Sequence, residues 1–198
     1  MCPSDVPQMS TAVMERRATT DRSADLSEKI SVHDAFKEAF RWHPGGIALV
    51  TADAGDGPTA LTATSVTSVS MHPPVLMFSV SRHSSSKATL DRAKSIVVHF
   101  LSADDLELAK LGATSGIDRF ADRDAWTRLP TGEPVFTQVA VWLKADVLQR
   151  ADVAGSTIMI CQVTEHPLET GTVRSSRGSL AYVNRMWHRL DDNSEYFS

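Results

Sequence analysis

The stretch Thr59-Ala60-Leu61-Thr62-Ala63-Thr64-Ser65-Val66-Thr67-Ser68-Val69-Ser70-Met71-His72-Pro73-Pro74, residues 59–74, lies between two apolar segments at 47–52 and 75–80. Six of the nine residues from Thr62 to Ser70 are serine or threonine, and none of the nine is charged. Small side chains let a planar ligand approach the backbone, and hydroxyls with backbone N–H groups offer neutral hydrogen bonds to a heterocycle or a phosphate. A threonine-rich edge strand has the same composition. The pattern alone therefore leaves a ligand-binding segment and an edge strand as equal alternatives.

The segments around this stretch predict a mainly β fold. Short apolar or alternating runs bounded by turn residues indicate strands at 47–52, 59–62, 75–80, 95–101, 139–150 and 156–165. The last two are expected to form a long antiparallel pair with its turn near 152–155. Helical spacing predicts helices over 32–40 with Ser31 as N-cap, over 86–93, and over 103–111 with Ser102 as cap. Residues 112–138 are expected to be irregular, and the whole pattern indicates a small antiparallel barrel with a few flanking helices.

Composition and length indicate one domain with extensions. A chain of 198 residues is somewhat longer than one average domain. Residues 1–31 are polar, without large apolar residues at a regular period, and are expected to be a disordered leader. The domain is expected over residues 32–190, followed by a polar tail over residues 191–198.

Charge and residue counts exclude several classes of function. A net charge of −4 provides no basic field for nucleic acid or for an anionic membrane surface. No apolar stretch approaches the roughly 20 residues that span a bilayer. Two cysteines, Cys2 and Cys161, cannot form a disulfide framework, so a cytoplasmic protein is expected. The seven histidines lack the close spacing of a zinc or iron site, so no metal is expected.

A second polar cluster, Ser81-Arg82-His83-Ser84-Ser85-Ser86-Lys87, follows the strand predicted at 75–80. Its serines could cap the helix that follows, or they could bind a phosphate at the start of that helix. Taken together, the two polar clusters could hold the two ends of one nucleotide.

At these residues the chain resembles the flavin reductase-like family, whose FMN-binding split barrel serves as the small component of two-component monooxygenases. The resemblance extends over residues 32–190. It rests on motifs in the family's order: the Pro-x-Gly turn at Pro44-Gly45-Gly46, the Gly-Leu-Thr-x-x-Ser-x-x-Ser-Val-Ser-x-x-Pro-Pro signature at 60–74 with alanine for the glycine, the Ser-Ser-Thr segment as Ser84-Ser85-Ser86, and Asp118-Arg119-Phe120 with Trp126 after it.

The resemblance implies a Greek-key split barrel that forms a homodimer, with the flavin, FMN or FAD, near the subunit interface. By this resemblance the cofactor-binding residues are Thr62, Ala63, Thr64, Ser65 and Ser68 on the isoalloxazine side, Ser79, Ser81, Ser84, Ser85, Ser86 and Lys87 on the ribityl and phosphate side, and Arg119 and Phe120. The implied activity is hydride transfer from NADH or NADPH to flavin N5, with reduced flavin passing to a separate monooxygenase. The alternative is a flavoredoxin-like electron carrier with bound FMN.

The chain departs from the family pattern at three places, the first of which concerns the hydride-donor side. The family's Gly-Asp-His before the late strand is Ala154-Gly155-Ser156, so a histidine at the nicotinamide side is missing. His99 replaces the asparagine of a Phe-x-Val-Asn strand; it is either a partner of the flavin or a strand histidine with satisfied hydrogen bonds. The terminal Tyr-x-x-Gly-x-Tyr is Tyr182-Val183-Asn184-Arg185-Met186-Trp187, in which the Trp187 indole could stack on a flavin or nicotinamide. His99, Arg119 and Trp187 are therefore possible catalytic residues.

Overall fold

Strands dominate the computed structural model, which describes residues 29–168 and 178–194. Most of the expected leader at 1–31 and the end of the expected tail at 191–198 thus lie outside the described residues. The elements, in chain order, are α1 (Val32–Trp42), β1 (Gly45–Gly46), β2 (Ala48–Asp53), β3 (Pro58–Ala63), β4 (Thr67–Met71), β5 (Pro74–Ser81), α2 (Lys87–Leu90), β6 (Ser95–Phe100), α3 (Leu106–Ala113), β7 (Trp126–Arg128), β8 (Pro134–Phe136), β9 (Trp142–Val153), β10 (Ser156–Glu165), β11 (Ser179–Val183) and β12 (Met186–Leu190).

Seven of these strands form one antiparallel sheet in the order β3-β2-β6-β9-β10-β5-β4. Its two end strands, β3 and β4, are consecutive in the chain and are separated by residues 64–66 alone. So short a connection spans at most about 14 Å between Ala63 and Thr67, which forces the sheet to curl until its ends approach each other. Because β3 and β4 do not pair, the result is a split barrel, which confirms the expected fold class.

The core lies on both sides of β2. Val50 and Ala52 point into the barrel, where they pack with Phe78 of β5 and other apolar residues. Leu49 points the other way and packs with Leu108 of α3 and with apolar residues of the 101–139 region. This double burial explains why the segment at 47–52, apart from Thr51, is apolar rather than alternating.

The predicted strands are confirmed, with bounds shifted by three residues or fewer, and so is the Ser31 cap. Ser102 caps a 3-10 turn, Ala103–Asp105, that leads into α3. Ala154 and Gly155, both at positive φ, form the predicted turn between β9 and β10. The prediction was wrong where elements are very short. Strands β7 and β8 have three residues each within a stretch expected to be irregular, and α2 has one turn instead of two. The β11–β12 hairpin was not predicted.

Cys161 is a free thiol buried in the barrel interior. Desolvation raises its pKa to about 12, so the thiol stays protonated and packs as a small apolar group.

Gly112 allows α3 to lie directly on β2 and β3. A Cβ at this buried position would overlap Leu49 Cδ1 and Thr62 Oγ1 and would lie 3.2 Å from the Thr62 backbone nitrogen. We expect Gly112→Ala to lower the free energy of unfolding by about 1–3 kcal/mol, because α3 or the end of β3 must move to make room. Urea unfolding measures the loss. Gly46→Ala is the control, since a Cβ there meets nothing within 4 Å; equal unfolding midpoints for the two variants would contradict this account of Gly112.

Candidate functional site

A cavity of about 1000 Å³ lies at the split of the barrel. Residues of α1, both polar ones and the rings of Phe36 and Phe40, line it together with the segment at 43–46, the connection between β3 and β4, and the turn of the β11–β12 hairpin. The hairpin is fixed to the helix by a backbone hydrogen bond of 2.7 Å from Asn184 N–H to the Arg41 carbonyl. The cavity thus joins segments that lie more than a hundred residues apart in sequence.

The serine and threonine stretch forms the barrel side of this cavity. Thr64, Ser65, Val66 and Thr67 line it, together with Ser79 of β5. Ser65 Oγ accepts a hydrogen bond of 3.0 Å from Ser79 N–H and so continues the pairing of β4 with β5 toward the cavity. The rest of the stretch, Thr67–Met71, is β4, an edge strand whose residues are mostly exposed. The edge-strand alternative therefore applies to Thr67–Met71, whereas the ligand-binding alternative stays a prediction for the residues before β4.

A second polar group forms where the loop after β5 meets the Asp-Arg-Phe triplet. Arg119 Nη2 donates to Ser85 Oγ over 3.1 Å and to the Thr114 carbonyl over 2.6 Å. Arg119 Nε is buried and has no hydrogen-bond partner. Desolvation lowers the pKa of this guanidinium, which nevertheless remains a cation at neutral pH. An unpaired buried N–H on a cation is the group that an anionic ligand would satisfy.

Several of the predicted site residues stabilise the barrel through their side chains. Ser86, buried, donates its hydroxyl to the Ala60 carbonyl over 2.7 Å. Thr62 donates to the Ala109 carbonyl over 2.7 Å, which attaches α3 to β3. Lys87 is paired with Asp91 and with the Thr157 hydroxyl. The side chains of these residues have partners within the protein.

Five other predicted site residues do not line the cavity. Ala63 is buried in the barrel interior, whereas Ser68 and Ser81 are exposed on β4 and β5. Ser84 Oγ accepts from Ser86 N–H at the start of α2. Trp187 is half-buried, with its ring 4.9 Å from that of Tyr182, and only Tyr182 lines the cavity.

Phe120 and His99 lie in the core. Phe120 stacks on Phe136 at 5.3 Å and makes an edge contact with Trp126. His99 is fully buried, and both of its ring nitrogens bind backbone groups, the Leu49 carbonyl at 3.1 Å and Phe136 N–H at 3.1 Å. Of the two alternatives for His99, this geometry favours the strand histidine with satisfied hydrogen bonds.

Sequence reasoning missed the part of the cavity contributed by α1 and by the hairpin turn. Lys37, Arg41, Asn184 and Arg185 all line the cavity. Helical spacing gives the face of α1 but not its neighbour, and the turn residues carry no motif beyond the departure from the family's glycine.

The described residues, 29–168 and 178–194, lack two further features. They contain no helix that is long and apolar enough to cross a bilayer. They contain no group of three or more histidine, cysteine or acidic residues that could hold a metal ion.

Comparison with known proteins gives a consistent result. Residues 40–191 match the family model of the flavin reductase-like domain. An NADH:FMN oxidoreductase of Rhodococcus erythropolis is 41% identical over 165 residues, which are 83% of this chain and 85% of the relative. The crystal structure of a flavin reductase domain protein from Arthrobacter sp. FB24 has a TM-score of 0.72 at 31% identity, covering 79% of this chain and 94% of that one. BorF, the flavin reductase component of a bacterial two-component tryptophan halogenase, has a TM-score of 0.70 at 26% identity, covering 81% and 99%.

Proposed function

This chain belongs to the flavin reductase-like domain family and is an NAD(P)H:flavin oxidoreductase, and we propose that it transfers a hydride from NADH to FMN in the cavity at the split. The choice of NADH and FMN is supported by the Rhodococcus relative, whose name specifies both. The observation that carries the proposal is the cavity itself, lined by Thr64, Ser65 and Ser79, with the Ser85–Arg119 pair beyond the end of the same strand. We propose that the cavity and the Ser85–Arg119 pair are the two ends of one nucleotide site.

The residues fit a flavin at both ends. On the ring side, residues 62–65 offer backbone groups, and Thr64 and Ser65 add hydroxyls without charge, as a neutral heterocycle requires. On the phosphate side, Ser84 and Ser85 offer hydroxyls, and Arg119 offers a buried guanidinium N–H that has no partner in the protein. Because Ser86, Lys87 and Thr62 use their side chains within the barrel, we propose that these three hold the binding segments in place and contact the ligand through the backbone at most.

The protein contributes by positioning. Flavin, when bound, supplies the hydride acceptor at N5. Hydride transfer needs the donor carbon within roughly 3–3.5 Å of the acceptor and needs no nucleophile from the protein. The barrel side of the cavity, with hydroxyls in place of carboxylates or histidine, suits this task.

Oxidation of NADH tests the activity. We expect the loss of absorbance at 340 nm to require added FMN and to saturate as FMN increases. A purified protein that is yellow, that retains its flavin through gel filtration and that shows no turnover with free FMN would instead support the flavoredoxin-like alternative.

We also propose the bounds of the domain, its partner protein and its location in the cell. We place the domain at residues 32–190, in agreement with the family match at 40–191. BorF is a component of a two-component system, which supports transfer of the reduced flavin to a separate monooxygenase. A cytoplasmic location without a nucleic-acid or membrane partner fits the net charge of −4.

A homodimer is supported by the exposure of α1. The helix has no buried residue, and its apolar side chains include Val32, Phe36 and Phe40 at 89%, 61% and 61% exposure. A helix of 11 residues is marginal in water unless its apolar face is covered. Exposed Met71 and Met77 on β4 and β5 extend the apolar surface. We propose that a second copy covers these residues, which places α1 and the cavity beside the subunit interface.

Charging the stacked Phe36–Phe40 pair tests the dimer. The two rings lie 4.6 Å apart on α1, and Phe36→Glu with Phe40→Glu is expected to convert a dimer into a monomer in light scattering at micromolar concentration. Burying two unpaired carboxylates in an apolar interface costs more free energy than the remaining contacts contribute. His33→Glu, on the same helix, is the control and should leave the mass unchanged. A dimeric double variant, or a monomeric wild type, would rule out this interface.

A further inference from the structure

The turn of the β11–β12 hairpin has an unusual backbone for its sequence. Asn184 and Arg185 are its two central residues, and both have positive φ, 49° and 61°. Two-residue turns of this kind favour Asn-Gly, because a Cβ is unfavourable in the left-handed region. The family's Tyr-x-x-Gly-x-Tyr motif has glycine at this place. This chain has arginine there, so a long cationic side chain is held on a backbone that disfavours it.

The position of Arg185 suggests a reason for an arginine at positive φ. Arg185 is exposed and lines the cavity at the split. Two other cations of the cavity are already paired, Lys37 with Asp34 at 3.9 Å and Arg41 with Glu38 at 3.5 Å. Among the described residues, Arg185 has neither an ion-pair nor a hydrogen-bond partner. A disfavoured backbone kept at a cavity is a reason to look for a functional role.

We propose that Arg185 binds a phosphate group of the nicotinamide nucleotide and so holds the hydride donor in the cavity. This inference rests on the proposed function. Guanidinium binds phosphate through paired, charge-assisted hydrogen bonds. The flavin phosphate has its own cation in Arg119, beside Ser85 on the loop after β5, so the unpaired charge on the hairpin serves the second nucleotide.

Arg185→Asn tests this assignment without disturbing the turn. Asparagine tolerates positive φ better than arginine does, so the variant keeps or gains stability while losing the charge. We expect KM for NADH to rise roughly tenfold, the value of one charge-assisted contact, with kcat and KM for FMN unchanged. The dissociation constant for NADH, measured by titration calorimetry without turnover, is expected to rise by the same factor. Arg189→Asn is the matched control, because Arg189 lies on the same hairpin, pairs with Asp191 and does not line the cavity.

NADH affinity, KM for FMN and mass test the role of Arg185, whereas NADH oxidation by the wild type tests the proposed activity. An unchanged affinity for NADH in Arg185→Asn overturns it, as does a change in KM for FMN alone, which assigns the charge to the flavin. A change in mass on light scattering, with NADH affinity intact, places Arg185 in the interface and also overturns it. If the wild type fails to oxidise NADH, the proposed function fails; a weaker affinity of the variant for NADH in calorimetry still supports the role of Arg185.

Discussion

Arg119→Gln is expected to weaken FMN binding by about 10- to 100-fold, corresponding to the roughly 1.5–3 kcal/mol of a hydrogen bond to a charged group. Arg119 is the cation of the proposed phosphate end, with Nη2 on Ser85 Oγ and a buried, unpartnered Nε. Glutamine cannot supply the positive charge or the forked donors. Lysine restores the charge but not the fork, so Arg119→Lys should lie between the two. Quenching of FMN fluorescence on titration with protein measures the affinity directly.

A matched control distinguishes the loss of a phosphate contact at Arg119 from the loss of one positive charge elsewhere on the same loop. Arg123 lies on the same loop with its guanidinium 5.7 Å from the centre of the Trp126 ring, and Arg123→Gln removes the same charge. FMN affinity should be unchanged in that variant. If Arg119→Gln and Arg123→Gln behave alike, or if Arg119→Gln melts several degrees lower, the effect is not that of a phosphate contact.

The sequence predicted the barrel because its strands carry their own signals. The segment at 47–52 is apolar except for Thr51, since both faces of β2 are covered, and the β9–β10 hairpin is set by alternation around a turn at 152–155. The pairs β7–β8 and β11–β12 were not predicted, because runs of three to five residues are too short to show a clear period.

The site was predictable only in part, for a related reason. A run of serines and threonines shows that polar groups are present, but the hydroxyls of Ser86 and Thr62 bind to backbone carbonyls that only the fold brings near. Phe120 was assigned to the cofactor by resemblance, yet its ring packs in the core against Phe136. The motif identifies the loop but does not tell which of its side chains turns outward.

His99 gives the barrel a dependence on pH that its sequence position does not suggest. A carbonyl can only accept, so His99 Nδ1 donates to the Leu49 carbonyl while Nε2 accepts from Phe136 N–H. The ring is therefore neutral, with its proton on Nδ1. Desolvation lowers the pKa of His99 to about 4, against the opposing effects of the Leu49 hydrogen bond and the Asp105 charge. Protonation would put a second proton on Nε2, opposite the Phe136 N–H.

Stability should consequently fall between about pH 6.5 and pH 4. In that window the unfolded chain binds a proton at residue 99 and the folded chain does not, so the free energy of unfolding decreases as the pH falls. A difference of this size between the two pKa values corresponds to about 3 kcal/mol at pH 4. Acidic groups such as Glu133 and Asp53, whose carboxylates are stabilised in the fold, add their own loss at lower pH. A variant at residue 99 is needed to separate the two contributions.

His99→Gln makes that separation, because its amide offers a donor and an acceptor and does not titrate. The variant is expected to be less stable than the wild type at pH 7, since the amide cannot match both ring contacts. Its free energy of unfolding, measured in urea from pH 7 to pH 4, should lack the portion of the decline that His99 contributes. The two curves should thus converge by about 3 kcal/mol as the pH falls. His43→Gln, at an exposed histidine after α1, should retain the full decline of the wild type. Parallel curves for His99→Gln and wild type would show that His99 is not the buried neutral base inferred from its contacts.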